Sequence, residues 1–334
     1  MNIVENPYMT RRPVKDPDGF YGRHEIMKRI FGDIVRRQMQ SQFIIGEVRI
    51  GKTSLLHQIM HRTVREKYIK NDEPFIFIRT HIPLFPDASP ADFFNKWIED
   101  ISRTTHQEIS KEPGYLTFRK FVEETTDAGY KTIILLDEFE AVTLNEKLDK
   151  GFFEFLRALT QNYNISFILF SRTPLQYFLK MEQFSSIFSS PFFNAIDISY
   201  LRFLQEKEAE SLVCEPAQKV GVDIADFTDF ILERTYYHPF LIQLLSSIVF
   251  DHKRSSDTNE EKILKEFNIQ TEEFFTYLWQ HSNMNEQEAL KKLTSQDQDI
   301  PKSVISDLDR RSLLTEDRNK IFCPAFEEFV KTQI

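Results

Sequence analysis

The chain has 334 residues, of which 41% are apolar and 28% charged, and its formal net charge at pH 7 is −9. This length predicts two or three domains, and the negative charge argues against broad, non-specific binding to nucleic acid. Two distant cysteines, Cys214 and Cys323, exclude a disulfide or zinc framework and predict a reducing compartment. The sequence has neither an apolar run near the roughly 18 residues of a membrane span nor a secretory signal, which predicts no membrane contact and a cytoplasmic location.

Helices and apolar strands alternate through the first two thirds of the chain, after an irregular lead-in over residues 1–22. The predicted elements are helix 24–40, strand 42–45, helix 54–68, strand 74–79, helix 89–109, helix 118–126, strand 131–136, helix 152–163, strand 165–170 and a short strand 197–200. This alternation predicts an α/β fold built on a doubly wound parallel sheet, which we assign to a domain over residues 23–200.

The pattern changes after residue 200. Helical periodicity alone continues through 204–250 and predicts an all-α lid domain over 201–257. The polar stretch 254–261 reads as a linker. About four short helices and a hairpin near 314–322 follow, which is the outline of a winged-helix domain over 258–334.

The segment Gly46–Thr53 reads GEVRIGKT and fits the phosphate-binding pattern G-x-x-x-x-G-K-[ST]. The glycines let the backbone fold back so that successive N–H groups, and the start of the following helix, face an anion. With a strand before it and a helix after it, the pattern arises by chance in about 0.1% of such chains. We therefore predict ATP or ADP with Mg²⁺ as ligands. The predicted contacts are Gly46, Val48, Arg49, Ile50, Gly51 and Ser54, with Lys52 on the β- and γ-phosphates and Thr53 on magnesium.

Charged residues follow two further strands where a nucleotide would bind. Asp137 and Glu138 end the strand 131–136, at the edge that borders the ligand crevice of an open α/β sheet. Asp137 is predicted to hold magnesium and Glu138 to act on the attacking water. Arg172 follows the strand 165–170 and is predicted to contact the γ-phosphate. Tyr21 and Arg23, just before the first helix, are candidates for framing the base.

Two further features of the sequence argue against other kinds of site. His57 and His61 lie four residues apart on the helix after the phosphate loop, but no HExxH glutamate or evident third ligand accompanies them. No G-x-S-x-G is present, which removes the most recognisable serine-hydrolase signature.

Taken together, these motifs resemble the STAND-class NTPases, the signal-transduction branch of the AAA+ ATPases, with a layout similar to the NB-ARC regulators. Gly46–Thr53 resembles Walker A, Leu135–Glu138 Walker B, and Phe170–Arg172 the sensor-1 arginine. Phe20–Glu25 resembles the hhGRE motif beside the base. Thr235–Phe240 resembles the GxP motif, whose proline, here Pro239, contacts the nucleotide from the lid.

The chain departs from the family pattern at three places. Tyr237 replaces the glycine of GxP, and His24 stands where glutamate is usual. Phe322–Ala325 occupies the place where NB-ARC relatives have a histidine that contacts the β-phosphate of ADP, which puts that contact in doubt. Since the chain ends with the predicted winged helix, the resemblance implies a sensor or effector in a separate chain, or self-assembly.

Three functions stay open. The resemblance favours a slowly hydrolysing ATPase that acts as a nucleotide-controlled switch, and oligomerises or activates a separate protein. A DNA-associated AAA+ ATPase that uses its winged helix is the alternative, although the candidate recognition segment 301–311 has three cations and two aspartates and so is not decisive. An inactive nucleotide-binding partner is the third, and Glu138 argues against it.

Overall fold

The computed structural model describes residues 5–69, 74–108, 114–180, 191–295 and 299–333. Its contacts divide the chain into two compact units. The sheet unit comprises the described parts of His24–Ile45 and Lys52–Leu201. The helical unit comprises the described parts of Met1–Arg23, Gly46–Gly51 and Arg202–Ile334.

The sheet unit contains five parallel strands in the order β2-β3-β4-β1-β5. All five predicted strands are confirmed, and most helix bounds shift by a few residues. The elements are α1 (His24–Ile34), β1 (Gln42–Ile45), α2 (Lys52–Met60), α3 (Arg62–Arg65), β2 (Phe75–His81), α4 (Pro90–Thr105), α5 (Tyr115–Asp127), β3 (Lys131–Asp137), α6 (Lys150–Asn162), β4 (Ile165–Ser171), α7 (Leu175–Lys180), α8 (Pro191–Asn194) and β5 (Asp197–Tyr200).

The sheet is covered on both faces, as expected of a parallel sheet with long apolar strands. Every residue of β4 is buried, and alternate side chains point to opposite faces. On one face an aromatic cluster packs against Phe167 of β4; its members include Phe93, Phe94, Trp97, Phe118, Phe152 and Phe153. Trp97 donates a hydrogen bond from Nε1 to Thr80 Oγ1 at 2.9 Å. This cluster contains many of the chain's phenylalanines.

The first two predicted helices were too long. The helix predicted over 24–40 ends at Ile34, where its apolar spacing also stops. The helix predicted over 54–68 begins earlier, at Lys52, and breaks after Met60 into the short α3. The helix predicted over 89–109 starts where it was expected, because Ser89 and Asp92 form a reciprocal capping box ahead of Pro90. Ile109, the predicted end of α4, lies outside the described residues.

The described part of the helical unit holds seven α-helices around one hydrophobic core. They are α9 (Glu206–Lys219), α10 (Thr228–Thr235), α11 (Pro239–Arg254), α12 (Glu260–Gln280), α13 (Met284–Thr294), α14 (Lys302–Arg310) and α15 (Pro324–Lys331). The N-terminal segment packs here too, since Tyr8 is buried in this core and Asn6 donates to Asp251 Oδ2 at 2.9 Å.

The predicted lid and winged-helix domains share this core, and the predicted linker shrinks to residues 255–259. The predicted hairpin appears as one antiparallel bridge between Leu314 and Ile321. Helices α12 to α15 and this bridge agree in order with a winged helix, which stays a prediction. Among the described residues, no helix combines the length and apolarity needed to cross a membrane.

Candidate functional site

Three neighbouring strands of the sheet unit end at one edge, and each leads into predicted site residues. β4 lies between β1 and β3, and Ile45 at the end of β1 pairs with Ser171 at the end of β4. β3 ends at Asp137. Parallel strands place their carboxyl ends together. Asp137, Glu138 and Arg172 therefore lie at the same edge of the sheet as the end of β1.

Lys52, Thr53 and Ser54 form the first turn of α2, as predicted from the motif. The first N–H groups of a helix have no intrahelical partner, and the helix dipole places partial positive charge there. Together with the Lys52 ammonium, this end of α2 is suited to bind phosphate.

Asp137 is almost completely buried, with 1% of its surface exposed. Its Oδ2 accepts a hydrogen bond from Arg79 Nη2 at 2.5 Å. Its Oδ1 is buried and has no hydrogen-bond partner, which is costly for a carboxylate oxygen unless a ligand compensates. A hard cation such as Mg²⁺ suits that oxygen. The chemistry of Asp137 therefore fits the predicted magnesium site, for which Thr53 stays the other predicted ligand.

Glu138 is exposed and has a left-handed backbone conformation, with φ of 53°. Non-glycine residues adopt this conformation rarely and at some energetic cost, and they concentrate at functional sites. At this turn the Asp137 side chain is buried, whereas the Glu138 side chain faces solvent. Glu138 is therefore not held by the packing that surrounds Asp137.

Arg172 is held by a residue that the sequence did not single out. Its Nε lies 3.2 Å from Glu140 Oε1, and its backbone N–H donates to Glu140 Oε2 at 3.2 Å. Glu140 is thus a third carboxylate near the end of β3. Its signal in the sequence was its place two residues after Glu138. Arg79, the partner of Asp137, was harder to find from the sequence, because its pairing with Asp137 depends on β2 and β3 being neighbours in the sheet.

In the helical unit, the loop Gly46–Gly51 has two residues with positive φ, Arg49 at 61° and Gly51 at 102°. Glycine adopts such a conformation without strain, which explains the second glycine of the motif. The Arg49 guanidinium lies 4.3 Å from the centroid of the Phe240 ring, a cation–π contact. Val48, predicted to bind phosphate through its N–H, donates that N–H to Glu47 Oε1 at 2.9 Å.

Arg23 is buried, and its guanidinium binds backbone carbonyls. It donates to Ile50 O at 2.9 Å and to Arg202 O at 2.6 Å. Burial lowers the pKa of Arg23 to about 10. Gly22 precedes it with φ of 76°, and a Cβ there would lie 2.8 Å from Glu208, so this turn requires glycine. Arg23 therefore ties the loop carbonyl of Ile50 to the chain at residue 202.

Tyr21 and Pro239, the other predicted base contacts, both lie in the helical unit. The Tyr21 hydroxyl accepts a hydrogen bond from Lys219 Nζ at 2.9 Å. Pro239 is the first residue of α11, a position where proline fits well. His238 before it is buried among aromatic rings, including Phe274 and Phe322.

The chain matches the family described as Novel STAND NTPase 2 over residues 33–300. The chain belongs to this family. The resemblance inferred from the motifs is thereby confirmed at the level of the family.

Solved structures agree on the fold. A Walker-type ATPase of Pyrococcus abyssi superposes with a TM-score of 0.64 at 13% identity, covering 96% of this chain and 98% of that one. The ORC2 protein of Aeropyrum pernix, with ADPNP and ADP, gives 0.55 at 13% identity over 98% and 96%. The ORC1 protein of the same organism, in complex with DNA, gives 0.52 at 12% over 95% and 94%. No curated protein sequence matches significantly. These likenesses confirm the P-loop α/β fold.

The two carboxylates after Asp137 give a matched pair of variants. We expect Glu138→Gln to lower the rate of ATP hydrolysis about 100-fold or more while ATP still binds, because it removes the predicted general base. Glu140→Gln should keep or raise that rate, since it releases Arg172 from its ion pair and leaves Glu138 in place. Single-turnover hydrolysis and ATP binding are the measurements. Equal losses in both variants would contradict the assignment of Glu138.

The burial of His238 predicts a dependence of stability on pH. Burial, followed by the nearby charge of Arg23, lowers the pKa of His238 from 6.5 to about 3. The unfolded chain therefore takes up this proton first as the pH falls below 6.5. The free energy of unfolding should decrease from there toward pH 3, by up to about 1.4 kcal/mol per pH unit from this one group.

His238→Gln should flatten that decrease between pH 6.5 and about 4, measured by urea unfolding at several pH values. An unchanged slope in this variant would assign the acid sensitivity to other groups.

Proposed function

We propose that this chain hydrolyses ATP slowly with Mg²⁺ and uses the bound nucleotide, ATP or ADP, as a switch that controls a protein partner or its own assembly. The observation that carries the proposal is the buried, hydrogen-bond-free Oδ1 of Asp137 at the sheet edge where β1 leads toward α2. A buried carboxylate with a purely structural role is expected to have hydrogen-bond partners for both of its oxygens. Nucleotide hydrolysis requires such an oxygen to bind the Mg²⁺ ion.

Each proposed residue has a separate task. The N–H groups at the start of α2 and the Lys52 ammonium offset the charge of the phosphates. Thr53 and Asp137 supply oxygens for magnesium, which when bound neutralises charge on the transferred phosphoryl group. Glu138 accepts a proton from the attacking water. Arg172 stabilises the charge that develops on the γ-phosphate.

Slow turnover is supported by the ion pair of Arg172 with Glu140. A guanidinium that is already bound to a carboxylate must exchange partners before it can stabilise another anion. This exchange adds a step that a partner protein or a second copy of the chain could promote.

The switch is supported by the neighbours of the loop Gly46–Gly51. Arg49 stacks on Phe240 of α11, and Ile50 is bound by Arg23. This loop continues through the peptide bond into Lys52. A change in the loop on nucleotide exchange would therefore act directly on α11 and on the N-terminal segment, which is how ligand binding biases one conformation over another.

A DNA-associated ATPase is the second candidate, because the similar ORC1 protein of Aeropyrum pernix is described in complex with DNA. The chemistry of the candidate recognition segment weighs against it. Arg311 is buried against two carboxylates, and Arg310 pairs with Asp307 at 3.1 Å. Lys302 then remains as the third cation, and one lysine is a small basic surface for binding phosphates.

Nucleotide exchange should change the assembly state or shape of the full chain. We expect different size-exclusion or sedimentation profiles with ADP and with a non-hydrolysable ATP analogue, both with Mg²⁺. Lys52→Ala should abolish the difference, since it weakens phosphate binding. Identical wild-type profiles, also after addition of candidate partner proteins, would contradict the switch.

Duplex DNA should bind no more tightly than the usual non-specific range of about 10⁻⁴–10⁻⁶ M at physiological salt. Fluorescence anisotropy over a salt series measures this. Nanomolar binding with a steep salt dependence, weakened by Lys302→Ala, would favour the DNA function instead.

A further inference from the structure

The ends of β2 and β3 hold an unusual group of buried polar atoms. Arg79 lies in β2, and the register places His81, the last residue of β2, beside Asp137, the last residue of β3. Arg79 Nη2 donates to Asp137 Oδ2 at 2.5 Å, and His81 Nδ1 lies 3.9 Å from the same oxygen. Both basic side chains therefore approach one oxygen of the carboxylate.

The two oxygens of Asp137 thus have different surroundings. Oδ2 binds the guanidinium, whereas Oδ1 is buried and has no hydrogen-bond partner among the described residues. Arg79 Nε and His81 Nδ1 are also buried without a hydrogen-bond partner in that part of the chain. Buried polar atoms are normally hydrogen-bonded, so three such atoms at neighbouring strand ends indicate that a group from outside the chain completes this site.

The position of Arg79 is fixed by its neighbours. β2 pairs with β3 along its whole length. Thr80, the next residue, is buried and accepts a hydrogen bond from Trp97 Nε1 at 2.9 Å. A planar guanidinium on a strand that is held in this way binds a carboxylate in a fixed direction. Arg79 therefore determines which oxygen of Asp137 stays available.

Divalent cations differ in how they use a carboxylate. Mg²⁺ takes about six ligands at about 2.1 Å, keeps several waters and is bound through one or two carboxylates. Ca²⁺ is larger, takes about six to eight oxygens and often binds both oxygens of one carboxylate. An aspartate with one oxygen held by a guanidinium has only the other to give to a cation. Such an aspartate suits Mg²⁺ better than Ca²⁺.

We propose that Arg79 determines the cation specificity of the nucleotide site, because it restricts Asp137 to one free oxygen and thereby favours Mg²⁺ over Ca²⁺. Arg79 is a positioning residue, since it acts through Asp137. The proposal rests on the function proposed above, which assigns a magnesium ion to Asp137, and it adds a reason for the choice of ion.

The charge of Arg79 has a separate effect. A guanidinium repels every divalent cation near Asp137, and for two ions of equal charge this repulsion is of similar size. The repulsion lowers the affinity for both ions without separating them. Discrimination between the ions therefore comes from the occupation of Oδ2, and the ratio of the two affinities reports it.

Binding of ADP to the full chain measures this discrimination without ATP hydrolysis. Calorimetry gives the dissociation constant of ADP with Mg²⁺, with Ca²⁺ and with EDTA. The gain from each cation is the dissociation constant in EDTA divided by the one with that cation, and in the wild type it should be larger for Mg²⁺ than for Ca²⁺. Arg79→Gln should lower the ratio of the Mg²⁺ gain to the Ca²⁺ gain about tenfold, because groups that hold a metal ligand typically change metal affinity about 10–100-fold.

Arg65 offers a matched control in the same unit. Its guanidinium lies 4.6 Å from the centroid of the Phe77 ring of β2, so Arg65→Gln also removes a cation that packs on this strand. Asp137 keeps its bond to Arg79 in that variant, and the ratio should stay as in the wild type. A decrease of the same size in Arg65→Gln would assign the effect to charge or packing and overturn the proposal.

A merely structural role for Arg79 would lower the melting temperature, or weaken ADP binding equally with Mg²⁺, Ca²⁺ and EDTA, and leave the ratio unchanged. That result overturns the proposal, and so does a wild type that gains as much from Ca²⁺ as from Mg²⁺. If Arg79→Gln does not fold, Arg79→Met decides by the same ratio, since methionine is a long side chain that donates no hydrogen bond. Failure of the magnesium site itself is distinguishable, because the wild type would then bind ADP equally well with Mg²⁺ and with EDTA.

Discussion

A guanidinium and a carboxylate that are both removed from water must stay together, since separating them inside the protein leaves an uncompensated charge. Arg311 and Glu47 are under this constraint. Glu47 in turn holds a backbone N–H of the phosphate-binding loop. The conformation of the loop is therefore determined partly by its glycines and partly by the C-terminal helices, through α13 and the end of α14. Glu286 completes this connection, because it binds the same guanidinium at the start of α13.

The sheet unit is governed by a different constraint. Three parallel strands bring their carboxyl ends to one edge, and two of them end at or beside charged residues that already have partners. Asp137 is bound by Arg79 through one oxygen only, and Arg172 is bound by Glu140. The first pairing holds the carboxylate while leaving one oxygen for a cation. The second holds the guanidinium beside a carboxylate near the end of β3. These two pairings are the basis for our proposal of a slowly hydrolysing switch.

The sequence predicted those parts of the molecule that depend on local pattern. The five strands and the start of α2 at the phosphate loop follow from apolar runs and glycines within a few positions. It did not predict the partners of Asp137, Arg172 and Glu47. Arg79 requires knowledge that β2 and β3 are neighbours, and Arg311 lies far from Glu47 along the chain. Arg311 is one of the three cations of the segment 301–311, and its burial removes it from any surface that could bind DNA.

Hydrogen exchange of the backbone amides tests the central claim most directly, by comparing the full chain with ADP and with the non-hydrolysable ATP analogue. The account predicts that protection changes together in the loop 46–51 and at the start of α13, because Glu47, Arg311 and Glu286 join them. A change that is confined to the loop and to α2, with the amides of α13 protected equally by both nucleotides, would contradict it.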